Sequence, residues 1–208
     1  MRSDLRNRCR SAKLSRRAAR SIAASFLAAA LMAVPAAAAN PAKQMSDQLP
    51  KICAELQKQG WGVPADQLEM DPKTKPEMRI GKIYMCNLER QLAGKGPGRA
   101  PDLSVLLASR SSGPALIFSA NVWCAADREP AIEALAKEVE RVLTGSKIPV
   151  PAEVLEAVRA SRDHDATAEG LRYRVQPIEV DAGACTRVKP GQLGPVLMKM
   201  DVAVEPAP

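Results

Sequence analysis

The sequence predicts an α+β fold: a mostly antiparallel five-stranded sheet with helices on one face, in the order α-β-β-β-α-α-β-β. Three observations predict it. Several segments alternate apolar and polar residues with period two, the mark of a strand with one buried face. Others repeat apolar residues at i, i+3, i+4 and i+7, the stripe of a helix packed on one side. The links between successive strand segments are short, as antiparallel neighbours require.

The first element is a helix capped by Ser46 or Asp47 and running to about Gln59, with Leu49, Ile52, Cys53 and Leu56 on one face. Residues 40–45 read as a loose leader, Pro50 falls in the first turn, and Gly60 is a stop. Residues 61–78, with Pro64, Pro72 and Pro76 among charges, read as a surface connection with room for one short helical turn. Tyr84, Cys86, Leu88 and Leu92 alternate with polar neighbours and read as a strand, although a helix over 85–92 fits nearly as well. A glycine- and proline-rich loop over 93–101 follows. The apolar runs 103–108 and 115–124, about the turn Ser111-Ser112-Gly113-Pro114, predict a hairpin near the middle of the sheet, with Trp123 in the core.

The strongest helix is capped by Asp127, carries Ile132, Leu135, Ala136, Val139, Val142 and Leu143 as one stripe, and stops at Gly145. Pro151 opens a shorter helix with Val154, Leu155 and Val158 inward. Residues 161–170 read as a polar loop. Leu171, Tyr173 and Val175 then predict a half-exposed strand, with a bulge or an edge at Pro177. In the last strand Met198, Met200, Val202 and Val204 face one way, and a proline-rich tail follows.

Residues 1–39 have the three parts of a secretory signal. Eight bases stand against Asp4, an apolar run covers 22–34, and Pro35 leads into alanines 36–39. Ala37 and Ala39 suit the peptidase, so cleavage is expected after Ala39, leaving one α+β domain over 40–208. The apolar run falls short of the about 20 residues of a spanning helix, so no stable membrane anchor is expected. Ser15-Arg16-Arg17 resembles part of a twin-arginine signal but lacks the hydrophobic residue and lysine that should follow. The expected compartment is the periplasm or the exterior.

Removing that segment changes the electrostatics. The whole chain carries +7. Eight of its 30 bases and one of its 23 acids lie in residues 1–39, which leaves 22 of each and no net charge. The basic balance therefore gives no support to nucleic-acid binding, which needs a concentrated basic field. Of the five cysteines, Cys9 leaves with the signal. Cys53, Cys86, Cys124 and Cys185 are too widely spaced for a zinc site and predict two disulfides in an oxidising compartment. The expected pairing is Cys53–Cys86 with Cys124–Cys185. The first would tie the opening helix to the first strand. The second would link the two halves of the sheet. Cys86–Cys124 with Cys53–Cys185 is the alternative.

No pattern fixes a catalytic, cofactor or metal site. His164 lies between Asp163 and Asp165, but adjacent residues rarely converge on one ion, and the three read as a solvated loop. No serine or cysteine sits in a nucleophile motif. Gly94, Gly96 and Gly98 with Lys95 and Arg99 lack the Walker pattern and read as a flexible surface loop, whose role, if it has one, is that of a basic finger touching a partner. Glu133, Glu138 and Glu140 with Lys137 and Arg141 read as ion pairs on the outer face of a helix. Trp61, in its proline-rich loop, reads as packed under that loop, and is the candidate anchor for a partner if it is exposed.

These features lead to an exported, non-enzymatic protein-binding module: an inhibitor, an immunity factor or an envelope accessory factor. Its partner would be another envelope or secreted protein, with Trp61, Lys95 and Arg99 as candidate contacts. The alternatives are a hydrolase with an unfamiliar site and a small-molecule carrier.

Overall fold

The first helix starts earlier than its periodicity suggests. In the computed structural model of the chain, which describes residues 40–93, 101–123, 128–179 and 196–208, α1 spans Pro41–Lys58. The Asn40 side-chain oxygen accepts the N–H groups of Ala42 and Lys43 at 3.0 and 3.3 Å, and Pro41 takes the first helical position, where its missing donor costs nothing. Met45, one turn ahead of Leu49, extends the buried stripe. Residues 41–45 are therefore helix and not a leader, and Pro50 sits inside the helix and not in its first turn. Gly60, at φ +85°, ends it as expected. Gly60 N–H donates to the Gln57 carbonyl and Trp61 N–H to the Leu56 carbonyl, both at 3.1 Å, which satisfies two of the carbonyls in the last turn.

The fold is α+β with an antiparallel sheet, but the sheet has seven strands and not five. After α1 come α2 (Ala65–Met70), β1 (Glu77–Ile80), β2 (Ile83–Gln91), β3 (Asp102–Arg110) and β4 (Gly113–Trp123). Then follow α3 (Arg128–Gly145), α4 (Ala152–Arg159), β5 (His164–Ala168), β6 (Leu171–Glu179) and β7 (Val196–Pro206). The spatial order is β1-β2-β3-β4-β7-β6-β5, every neighbour antiparallel.

The two additional strands, β1 and β5, are the edges. Each is short and joined to its neighbour by a two-residue turn. Gly81 takes φ +58° between β1 and β2; Glu169 and Gly170 both have positive φ between β5 and β6, as a hairpin of that length prefers. Half of the segment expected as a polar loop at 161–170 is β5, made of small and polar residues without an apolar rhythm. Pro177 continues its register with Met200 of β7, while the pairing of β6 with β5 ends at Val175. Pro177 thus lies at a local edge, where its missing N–H costs no ladder bond. The irregularity in the sheet falls instead between Val122 and Trp123.

One face of the sheet is the core. Cys86, Leu107, Leu116, Val204 and Tyr173 form a row across β2, β3, β4, β7 and β6, each fully buried. α1, α3 and α4 pack on this face. Each Leu or Val buried there contributes roughly 1.5–3 kcal/mol. Cys53 of α1 and Cys86 of β2 form a disulfide with Cα atoms 6.3 Å apart, which fixes the first helix to the sheet as expected. Cys124 and Cys185 lie outside the described residues. Among the described residues no helix is long and apolar enough to cross a membrane.

Candidate functional site

Period two that buries one face of each strand turns the alternate residues the other way. Among the described residues no helix covers that second face. Its composition divides it in two. Toward β1, Met78, Met85, Ala108 and Ala115 stand side by side in one row across β1, β2, β3 and β4. The next row holds Asn87, Leu106, Ile117 and Ala203. Ile80 and Ile83 close the β1–β2 hairpin beside them. Met78, Ile80 and Ile83 are 46, 61 and 42 % exposed, and Met85, Leu106 and Ile117 are half-buried. Three of the six exposed large hydrophobic residues among those described therefore belong to one hairpin on one face. Two others, Leu68 and Met70, lie on α2, which buries none of its residues.

Toward β7 and β6 the same face is mainly polar, with Ile178 of β6 the exposed apolar exception. Asp102, fully buried at the start of β3, accepts hydrogen bonds from Asn121 Nδ2 and Trp123 Nε1, each 2.6 Å. Trp123, expected in the core, is thus half-buried on the opposite face, because the inward positions of β4 are Leu116, Phe118, Ala120 and Val122. Lys199 pairs with Asp201 and Arg174 with Glu205, both at 2.9 Å. Arg172 grips both oxygens of Asp165 at 3.0 and 3.1 Å, and this hydrogen-bonded cation holds the Asp165 carboxyl below its ordinary range.

The candidate anchor Trp61 is 3 % exposed. It continues the chain from the end of α1 into the core, and its ring lies under the guanidinium of Arg90, 4.7 Å from the centroid. Burial removes the exposed indole on which an anchor role depended. Arg90 also reaches Glu138 at 3.4 Å, and Arg141 binds the same carboxylate. Glu138, expected on the outer face of its helix with Glu133 and Glu140, is 5 % exposed, because it shares the buried stripe with Leu135 and Val142. Glu133 does pair with Lys137 at 3.6 Å, and with Arg159 at 3.1 Å.

Among the described residues no group of three or more His, Cys, Asp or Glu side chains could hold a metal ion. His164 opens β5 opposite Val175, half-buried, while Asp163 is exposed. A groove of about 550 Å³ runs between α1 and α3, with Ile52, Leu56 and Val142 at its base and Lys51, Glu55 and Arg141 on its rim. Lys95 and Arg99 lie outside the described residues. The sequence carries a signal for the apolar hairpin that the residues expected at a site do not include: Met78, Ile80, Ile83 and Met85 recur at every second position about the turn Gly81-Lys82. Compared with family models, with curated proteins and with solved structures, the chain shows no match.

Proposed function

We propose that this chain is an exported, non-enzymatic module that binds another envelope or secreted protein, after removal of residues 1–39. The observation that carries the reading is the apolar corner of the helix-free sheet face, where Met78, Ile80 and Ile83 stand exposed beside Met85, Leu106 and Ile117. Clustered exposed apolar side chains on a water-soluble domain mark surfaces that another molecule covers. The rival chemistries draw less support. A hydrolase needs a nucleophile, a base and a stabilising donor set within reach of one substrate atom. The carboxylates Asp102, Asp165 and Glu138 are each engaged by their own donors. A carrier needs a closed apolar cavity, and the groove between α1 and α3 is rimmed by exposed charges.

The test is capture of partners from periplasmic extract with the exported protein as bait, beside an Ile80→Asp, Ile83→Asp variant. Both positions are surface-exposed, so the variant keeps the core. A stoichiometric protein partner held by the native chain and lost from the variant supports the reading. Turnover of a hydrolase substrate panel without any such partner overturns it.

A further inference from the structure

We infer that the protein forms a two-fold dimer through the outer edge of β1, with Met78 of one copy opposite Met78 of the other. The inference goes beyond the partner-binding reading and does not depend on it.

The backbone fixes which groups are free at this edge. Asn87 N–H donates to the Pro76 carbonyl at 2.9 Å, and the register places residue 76 opposite residue 87. That is a hydrogen-bonded pair, and in an antiparallel ladder such pairs alternate with non-bonded ones. Residues 76, 78 and 80 therefore direct their backbone polar groups toward β2. Glu77 and Arg79 direct theirs outward, where no described strand pairs with β1. An unpaired edge of this kind is a template for another strand.

Charge and pleat then select the occupant and the register. Two copies joined edge to edge in an antiparallel sheet are related by an axis normal to the sheet, so some residue must face its own symmetry mate. Centring on Glu77 sets two carboxylates opposite each other, and centring on Arg79 sets two guanidinium groups opposite each other. Centring on Met78 opposes Glu77 to Arg79 twice, on the same face. It also aligns the outward N–H and C=O groups of 77 with those of 79, for four inter-chain backbone bonds.

Glu77 and Arg79 now pair within the strand at 3.2 Å, and both are accessible to exchange partners. On the other face the same register brings Met78 to Met78 at a non-bonded position, where side chains approach most closely. The apolar row then runs unbroken from Ala115 through Ala108, Met85 and Met78 to the same residues of the second copy. The strand matches itself in charge, hydrogen bonding and apolar face at one register.

The contact is short, and Lys75 and Lys82 stand near its ends, so the dimer forms at concentrations on the order of 100 μM, at the weak end of specific interfaces. Sedimentation of the exported protein over that range, with no partner present, tests it directly. Arg79→Glu converts two attractive pairs to repulsive ones and should weaken dimerisation about tenfold, and Glu77→Arg with Arg79→Glu should restore it. Met78→Cys should give a disulfide-linked dimer under mild oxidation that neither the native chain nor Ile80→Cys gives. A chain that stays monomeric throughout overturns the inference. So does a dimer indifferent to Arg79→Glu, or one cross-linked through position 80 and not 78. None of these outcomes bears on capture of a different protein by the apolar corner, so the two readings fail separately.

Discussion

The Arg90 guanidinium lies over the Trp61 ring, 4.7 Å from its centroid, and reaches the Glu138 carboxylate at 3.4 Å. One side chain thus joins the segment after α1, strand β2 and helix α3. The arrangement depends on Glu138, an acid 5 % exposed between two arginines. A buried carboxylate is tolerable only when its charge is matched, and removing it leaves the cations facing each other.

Glu138→Ala should therefore destabilise the fold. Arg90 and Arg141 remain 35 and 42 % exposed, so water offsets part of the loss. We expect about 2 kcal/mol, below the about 3–5 kcal/mol of a fully enclosed pair. Glu138→Gln keeps the volume and two hydrogen-bonding groups and should cost roughly half as much. Urea midpoints measure both. Equal stability of Glu138→Ala and the native chain would show that the triad contributes nothing net.

The Cys53–Cys86 bridge makes a second prediction. It closes a loop with a sequence separation of 33 residues, for which chain entropy gives about 4 kcal/mol. Reduction should lower the thermal midpoint markedly and release α1 first, since a helix of this length is marginal without its tertiary contacts. Both sulfurs are fully buried, so reduction should need prior loosening of the fold. A peptide map of non-reduced protein should recover Cys53 and Cys86 in one linked pair. A melt unchanged after complete reduction would remove the energetic claim and leave the bridge.

What could be read in the sequence follows burial. β2, β6 and β7 place apolar residues on every second position and announce themselves by that rhythm, while β3 and β4 announce themselves as apolar runs about a tight turn. β1 and β5 are edges of four and five residues, and the hydrophobic effect writes little into a strand with one neighbour. The start of α1 depends on a cap at Asn40 that precedes the apolar stripe by a full turn.

Period, and not residue type, decides where Trp123 and Glu138 lie. Counting by two from Phe118 turns Trp123 away from the core, and counting by three and four from Leu135 turns Glu138 into it. The apolar corner is legible in the sequence only as far as its own hairpin. Met78, Met85, Ala108 and Ala115 become neighbours only when the registers of three strand pairs are known.

The third prediction uses the chain's two tyrosines. Burial pushes Tyr84 and Tyr173 up from an ordinary value of 10.0 to about 12, and the carboxylates of Glu77 and Glu169, respectively, add to the shift. A phenol is neutral when protonated, so a folded-state value above the unfolded one favours folding while the proton stays on. That stability is fully present below about pH 10 and is lost as pH rises toward 12. Tyrosinate absorbance should be nearly absent from the folded protein at pH about 10.5 and should appear there on adding urea. The two hydroxyls differ in what else they do. Tyr173 Oη donates to the Pro149 carbonyl, whereas Tyr84 Oη is buried without a hydrogen-bond partner. Tyr173→Phe should therefore cost about 1 kcal/mol at neutral pH, while Tyr84→Phe should cost little there and should flatten the alkaline loss of stability. Titration of both phenols near 10 in the folded chain would contradict their burial. Equal losses at neutral pH in the two variants would contradict the difference in hydrogen bonding.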